Sequence, residues 1–132
     1  MPITFEVDHE AKRVYAMGSE AITVEDMVGL VLALAEQRCF AYPQCFDARG
    51  AAIVMTAEDT RRMVPLVARL RAEHGHARTA FIADSDVSFG MARMYASLAV
   101  EVDSGFMAFR TLEEGAVWLG WPTLHDTRHD PA

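Results

Sequence analysis

Two short β-prone runs open the chain, Thr4 to Val7 and Arg13 to Met17, and the polar stretch Asp8-His9-Glu10-Ala11-Lys12 between them predicts a hairpin. The pattern then changes period. Thr23-Val24-Glu25-Asp26 carries a capping signal, and Met27, Val28, Val31, Leu34 and Ala35 follow at helical spacing, predicting a helix from about Val24 to Arg38. Gln44 to Asp47 predicts a short strand, entered through Pro43 and closed by Arg49-Gly50. Thr56-Ala57-Glu58-Asp59 repeats the cap. Met63, Val64, Val67 and Leu70 form the buried stripe of the second helix, with Arg61, Arg62, Arg69 and Arg71 outside it. Pro65 inside this helix predicts a kink or a late start, because proline removes a backbone hydrogen bond.

Gly75 suits a helix end, and the continuous apolar run Thr79-Ala80-Phe81-Ile82-Ala83 predicts a central strand covered on both faces. Asp84-Ser85-Asp86 starts a third helix reaching about Val100. Phe106 to Phe109 is the last predicted strand, Thr111-Leu112-Glu113-Glu114 a third capping box, and Gly120 the stop of a short final helix. The order β-β-α-β-α-β-α-β-α predicts an α/β fold with a mixed, mostly parallel sheet and helices packed on it. Residues 1–120 are expected to form a single domain and 121–132 a flexible tail.

Composition narrows the function classes. The chain has 132 residues, 52% of them hydrophobic and 23% charged, a size and balance suited to one well-filled core. Its net charge of −7 argues against nucleic acid, which demands clustered positive charge. The start lacks the basic and apolar regions of a secretory signal, and the longest apolar run, Met27 to Ala35, is far below the roughly 18 residues of a membrane span. A cytoplasmic location is expected. Cys39 and Cys45 are expected to be ordinary thiols.

Three stretches carry a family resemblance. They are Cys45-Phe46-Asp47-Ala48-Arg49; Phe81-Ile82-Ala83-Asp84 with Phe89-Gly90-Met91-Ala92-Arg93-Met94-Tyr95; and Phe109-Arg110-Thr111-Leu112-Glu113-Glu114-Gly115-Ala116-Val117-Trp118-Leu119. Together they resemble the SpoIIAA-like family of the STAS group over about residues 3–119. The resemblance implies the same element order. In the group's anti-sigma-factor antagonists, a serine at the start of the second helix is phosphorylated by a partner kinase. Here that position falls at Met55-Thr56-Ala57, without the Asp-Ser-Ser-Gly pattern of the antagonists. The SpoIIAA-like branch is also similar to lipid-carrying Sec14 domains, which implies binding of a small lipid-like molecule.

The candidate residues each have a plain structural reading beside the functional one. Thr56 is the nearest phosphoacceptor, since a helix N-terminus receives phosphate well, and with Asp59 it also makes an ordinary N-cap. Asp84-Ser85-Asp86 has the look of an aspartate-based phosphatase loop, but it lies late in the chain and Lys12 is the only lysine; its carboxylates suit a helix start. His74 with His76, and His125 with His129, have chelating spacings without a third ligand in register, so no metal is expected. Arg49, Asp84 and Ser88 lie at strand ends, where open parallel sheets bind ligands, and are the candidate ligand or partner residues; Arg49 also suits an ion pair with Asp47.

The helices carry more apolar surface than one sheet face requires. Leu30 and Leu32 on the first helix, and Met91 and Met94 on the third, extend it around the cylinder. Neighbouring helices, a homodimer contact, a lipid-like ligand or another protein would each cover it, and methionine adapts to any of these. The expectation is a non-enzymatic binding or regulatory module with a protein partner or small apolar ligand, no cofactor and no catalytic residue. The alternative is a lipid-like molecule carrier or cryptic enzyme using the strand-end loops.

Overall fold

The computed structural model describes residues 2–121. Strands β1 (Ile3–Asp8) and β2 (Arg13–Gly18) pair antiparallel, and the Asp8 carboxylate accepts from the Ala11 N–H at 2.9 Å to shape the turn. Strands β4 (Gln44–Asp47), β6 (Thr79–Ile82) and β7 (Phe106–Phe109) extend the sheet in parallel, in the order β1-β2-β4-β6-β7. The mixed, mostly parallel sheet is therefore present.

Four helices cover it. Helix α1 (Val24–Glu36) and helix α2 (Ala57–His74) begin on complete capping boxes at Thr23 and Thr56. Helix α3 (Asp86–Leu98) begins on Ser85, whose hydroxyl accepts from the Ser88 N–H. At α4 (Leu112–Leu119), Thr111 accepts from the Glu114 N–H, but its hydroxyl donates to the Glu114 carboxylate. The backbone arm of the expected box is thus replaced by a side-chain one. Helix α2 runs continuously past Pro65, so the late start does not occur. Pro65 sits on the exposed side of α2.

Alternation along the strands divides the core in two. Val14, Ala16, Phe46 and Phe81 face α1, α2 and α3. Cys45, Ala80 and Ile82 face the other way, against Leu112 of α4 and Trp121. Trp121 departs from the expected tail: it is buried, its N–H donates to the Ala116 carbonyl, and the Arg13 guanidinium lies 4.9 Å above its ring. The apolar area of the indole, packed in one cluster with Cys45, Ala80 and Ile82, explains why the chain continues inward past Gly120. The remainder of the expected tail lies outside the described residues.

A second, two-stranded parallel sheet pairs β3 (Ala21–Ile22) with β5 (Ala52–Ile53). It brings the segment before α1 against the segment before α2, at the C-terminal ends of the main strands. Two-residue strands have no period to read, and the sequence pattern missed both.

Candidate functional site

Two places in the fold gather chemically useful groups. The first is the end of the sheet predicted to hold Arg49, Asp84 and Ser88. Asp47 is fully buried, and Arg49 grips it with two arms, Nε to Oδ1 at 2.9 Å and Nη2 to Oδ2 at 3.0 Å. The Tyr15 hydroxyl donates to the same carboxylate at 3.1 Å. Burial, and then the Asp47 charge, pushes the Tyr15 hydroxyl above its ordinary value and the Cys45 thiol up to about 12. Both keep their protons at neutral pH, which suits neither to nucleophilic or base chemistry.

The neighbouring groups tie loops together. The exposed Asp84 carboxylate accepts from the Gly50 N–H at 3.2 Å, and Arg110 donates to the Asp84 carbonyl and the Asp86 carboxylate, both at 3.0 Å. Ser88 is buried, and its hydroxyl donates to the Ala51 carbonyl at 3.4 Å. Arg49, Asp84 and Ser88 therefore share one end of the sheet, with Arg49 committed to Asp47 and Ser88 turned inward. Thr56 is exposed and its hydroxyl accepts from the Asp59 N–H at 3.0 Å, in the N-cap geometry. Phosphate there would face Glu58 and Asp59, both in the first turn.

The second place is a cavity of about 100 Å³ between the sheet and helices α1 to α3. Its floor is a row of aromatic rings. Phe46 stacks on Phe81 with centroids 4.8 Å apart, Phe81 meets Phe106 at 5.9 Å, and Tyr95 stands edge-on to Phe106 at 4.7 Å. Leu30, Val31, Val67 and the methionines Met27, Met55, Met63 and Met91 complete the apolar wall. Two of the four residues that gave the helices their surplus apolar surface, Leu30 and Met91, line this space, while Leu32 is exposed.

One end of the cavity is polar. Arg71 and Asp103, each 5% exposed, pair through Nε and Oδ1 at 3.0 Å, and the Tyr95 hydroxyl donates to the other Asp103 oxygen at 2.9 Å. Arg71 Nη1 donates to the carbonyls of Phe40 and Gly75, and the guanidinium lies 4.3 Å over the Phe40 ring. Burial, with Asp103 adding to it, drives the Tyr95 hydroxyl above its ordinary value. Gln44 and Thr79, cross-strand neighbours on β4 and β6, line the same end.

Sequence reasoning placed Arg71 outside the buried stripe of α2, and the structure corrects this. Arg71 lies four residues after Val67 and eight after Met63, on the buried stripe itself, so the spacing carried the signal and the charge concealed it. Asp103 stands in the turn between α3 and β7, where no period marks it. Among the described residues no three His, Cys, Asp or Glu side chains converge on a metal-sized space, and no helix is long and apolar enough to cross a membrane. His125 and His129 lie outside the described residues.

No protein-family model matches the sequence, and a search of curated proteins finds no match. Among solved structures, the chain is similar to an uncharacterized protein of the DUF3478 family with a SpoIIAA-like fold from Shewanella loihica PV-4. The match has a TM-score of 0.55 at 14% identity and covers 89% of this chain and 93% of the other. The fold is SpoIIAA-like. At this identity the likeness establishes architecture alone, and the SpoIIAA-like core leaves function to be argued from the cavity and its polar end.

Proposed function

We propose that the protein is a non-enzymatic binding module that holds a small apolar molecule between its sheet and helices α1 to α3. The observation that carries this reading is the cavity: apolar, walled by four methionines and a row of aromatic rings, and provided with a few polar groups at one end. An apolar cavity of about 150 Å³ takes up benzene, so a space of this order suits a compact aromatic or short alkyl body. The methionines adapt their shape to such a guest. The half-exposed Met27, Ile53, Met55 and Met91, near the starts of the three helices, are the side chains whose movement would admit it. In this reading the contacts of Arg49, Asp84 and Ser88 hold the strand-end loops in place, and Thr56 is an N-cap.

Titration with ethylbenzene, followed by isothermal calorimetry, tests the reading. A saturable heat at one site per chain is expected, and Ala92→Leu, which adds bulk to a wall residue, should abolish it. Absence of a saturable heat from folded protein contradicts the reading.

A further inference from the structure

We infer that the molecule held in the cavity carries a neutral oxygen acceptor, such as a ketone or amide carbonyl, seated against Arg71, Gln44 and Thr79. The inference rests on the cavity being a ligand site and specifies the chemistry of its guest.

Arg71 spends Nε on Asp103 and Nη1 on two carbonyls, while its Nη2 has no hydrogen-bond partner among the described residues. The Thr79 side chain, on a residue 8% exposed, and the half-buried Gln44 amide also have no hydrogen-bond partner among the described residues. Gln44 and Thr79 lie side by side, and their positions share the sheet face of Phe46 and Phe81, which floors the cavity. Three groups able to donate thus meet at one end of an otherwise apolar space. No fully enclosed side-chain nitrogen or oxygen lacks a partner among the described residues, so these donors border open space, where an acceptor brought in by the guest can reach them.

The acceptor is neutral because the arginine is already neutralised. Asp103 lies 3.0 Å from Arg71 within the same wall, so a second carboxylate would give up its hydration only to face a like charge. A carbonyl takes the same N–H groups without that repulsion. The apolar body then lies over Phe81 and Phe106, toward the methionines.

Three probes of similar shape test this on the full chain: acetophenone, ethylbenzene and benzoate, with affinities read by calorimetry and folding by circular dichroism. Acetophenone should bind about tenfold more tightly than ethylbenzene, the scale of one hydrogen bond to a charged donor, and benzoate most weakly. Thr79→Val keeps the side-chain shape, Gln44→Leu keeps most of the volume, and Arg71→Lys keeps a charge opposite Asp103 while losing the second guanidinium arm. Each should weaken acetophenone binding by about threefold or more beyond any change in ethylbenzene binding, so that the preference for acetophenone shrinks. Equal binding of acetophenone and ethylbenzene, or tightest binding of benzoate, overturns the inference while the cavity reading stands. Failure of all three probes to bind overturns both.

Discussion

Arg71 in the last turn of α2 and Asp103 in the turn before β7 form an ion pair that is almost wholly removed from water, 3.0 Å between Nε and Oδ1. The pair joins the ends of α2 and α3, and through the Phe40 carbonyl it also holds the connection that leads from α1 into β4. A single guanidinium thus anchors three segments at one end of the cavity.

Breaking that pair from one side should be far more damaging than removing it whole. Asp103→Ala leaves a buried, uncompensated guanidinium and is expected to cost about 3–5 kcal/mol. The double substitution Arg71→Met with Asp103→Leu replaces the pair with apolar groups of similar size and should recover most of that loss. Urea denaturation of the three proteins measures the difference.

Both thiols are sealed in the core. Cys39 and Cys45 have no solvent exposure, and burial raises both thiols, Cys45 from its ordinary 9.0 to about 12. The folded chain therefore retains protons that the unfolded chain has released once the pH passes 9.0. Stability from this source is intact below pH 9.0 and is lost as pH rises toward 12, by on the order of a few kcal/mol. The buried Tyr15 and Tyr95 hydroxyls act in the same direction above 10.0. Denaturation midpoints should accordingly fall steadily above pH 9, and a thiol reagent should label neither cysteine at pH 8 until denaturant is added.

Thr56 earns its place in the fold as a cap. Thr56→Ala should lower stability by about 1 kcal/mol, and Thr56→Ser, which keeps the oxygen that accepts from the Asp59 N–H, should be close to neutral. Thermal melts of the two variants distinguish the cap from a residue that contributes nothing at rest.

Gly105 lets β7 enter beside β6. A methyl group there would collide with the Ala77 carbonyl oxygen and press on the Arg78 backbone, where no flexible side chain can yield. Gly105→Ala is therefore expected to cost roughly 2 kcal/mol or more through overpacking. Because Gly105 is two residues from Asp103, the same change should weaken the Arg71 anchor. Denaturation together with probe affinity reads both effects.

Much of the architecture was legible in the sequence because regular elements repeat. The capping residues Thr23, Thr56 and Ser85 mark true helix starts, and the unbroken run from Thr79 to Ile82 is a fully buried central strand. What escaped was whatever lacked a period or contradicted its own chemistry. The two-residue strands β3 and β5 are too short to alternate, and Trp121 follows a helix-ending glycine that invited reading it as tail. Arg71 fell on the right face of α2 with the wrong polarity for a core position. Most of the cavity's polar end was missed for the same reason: Asp103, Gln44 and Thr79 come from a turn and two strand starts, and only the fold brings them to one place.

The methionines offer the most direct measurement of the central claim. With the methionine methyl groups carbon-13 labelled, addition of ethylbenzene should shift the signals of Met27, Met55, Met63 and Met91, which line the cavity, in a saturable way. Met17 and Met107, on strand positions facing the other side of the sheet, should stay in place. Selective, saturable movement of the four is the predicted result; no movement, or equal small movements of all the methionines, would contradict a ligand site between the sheet and its three helices.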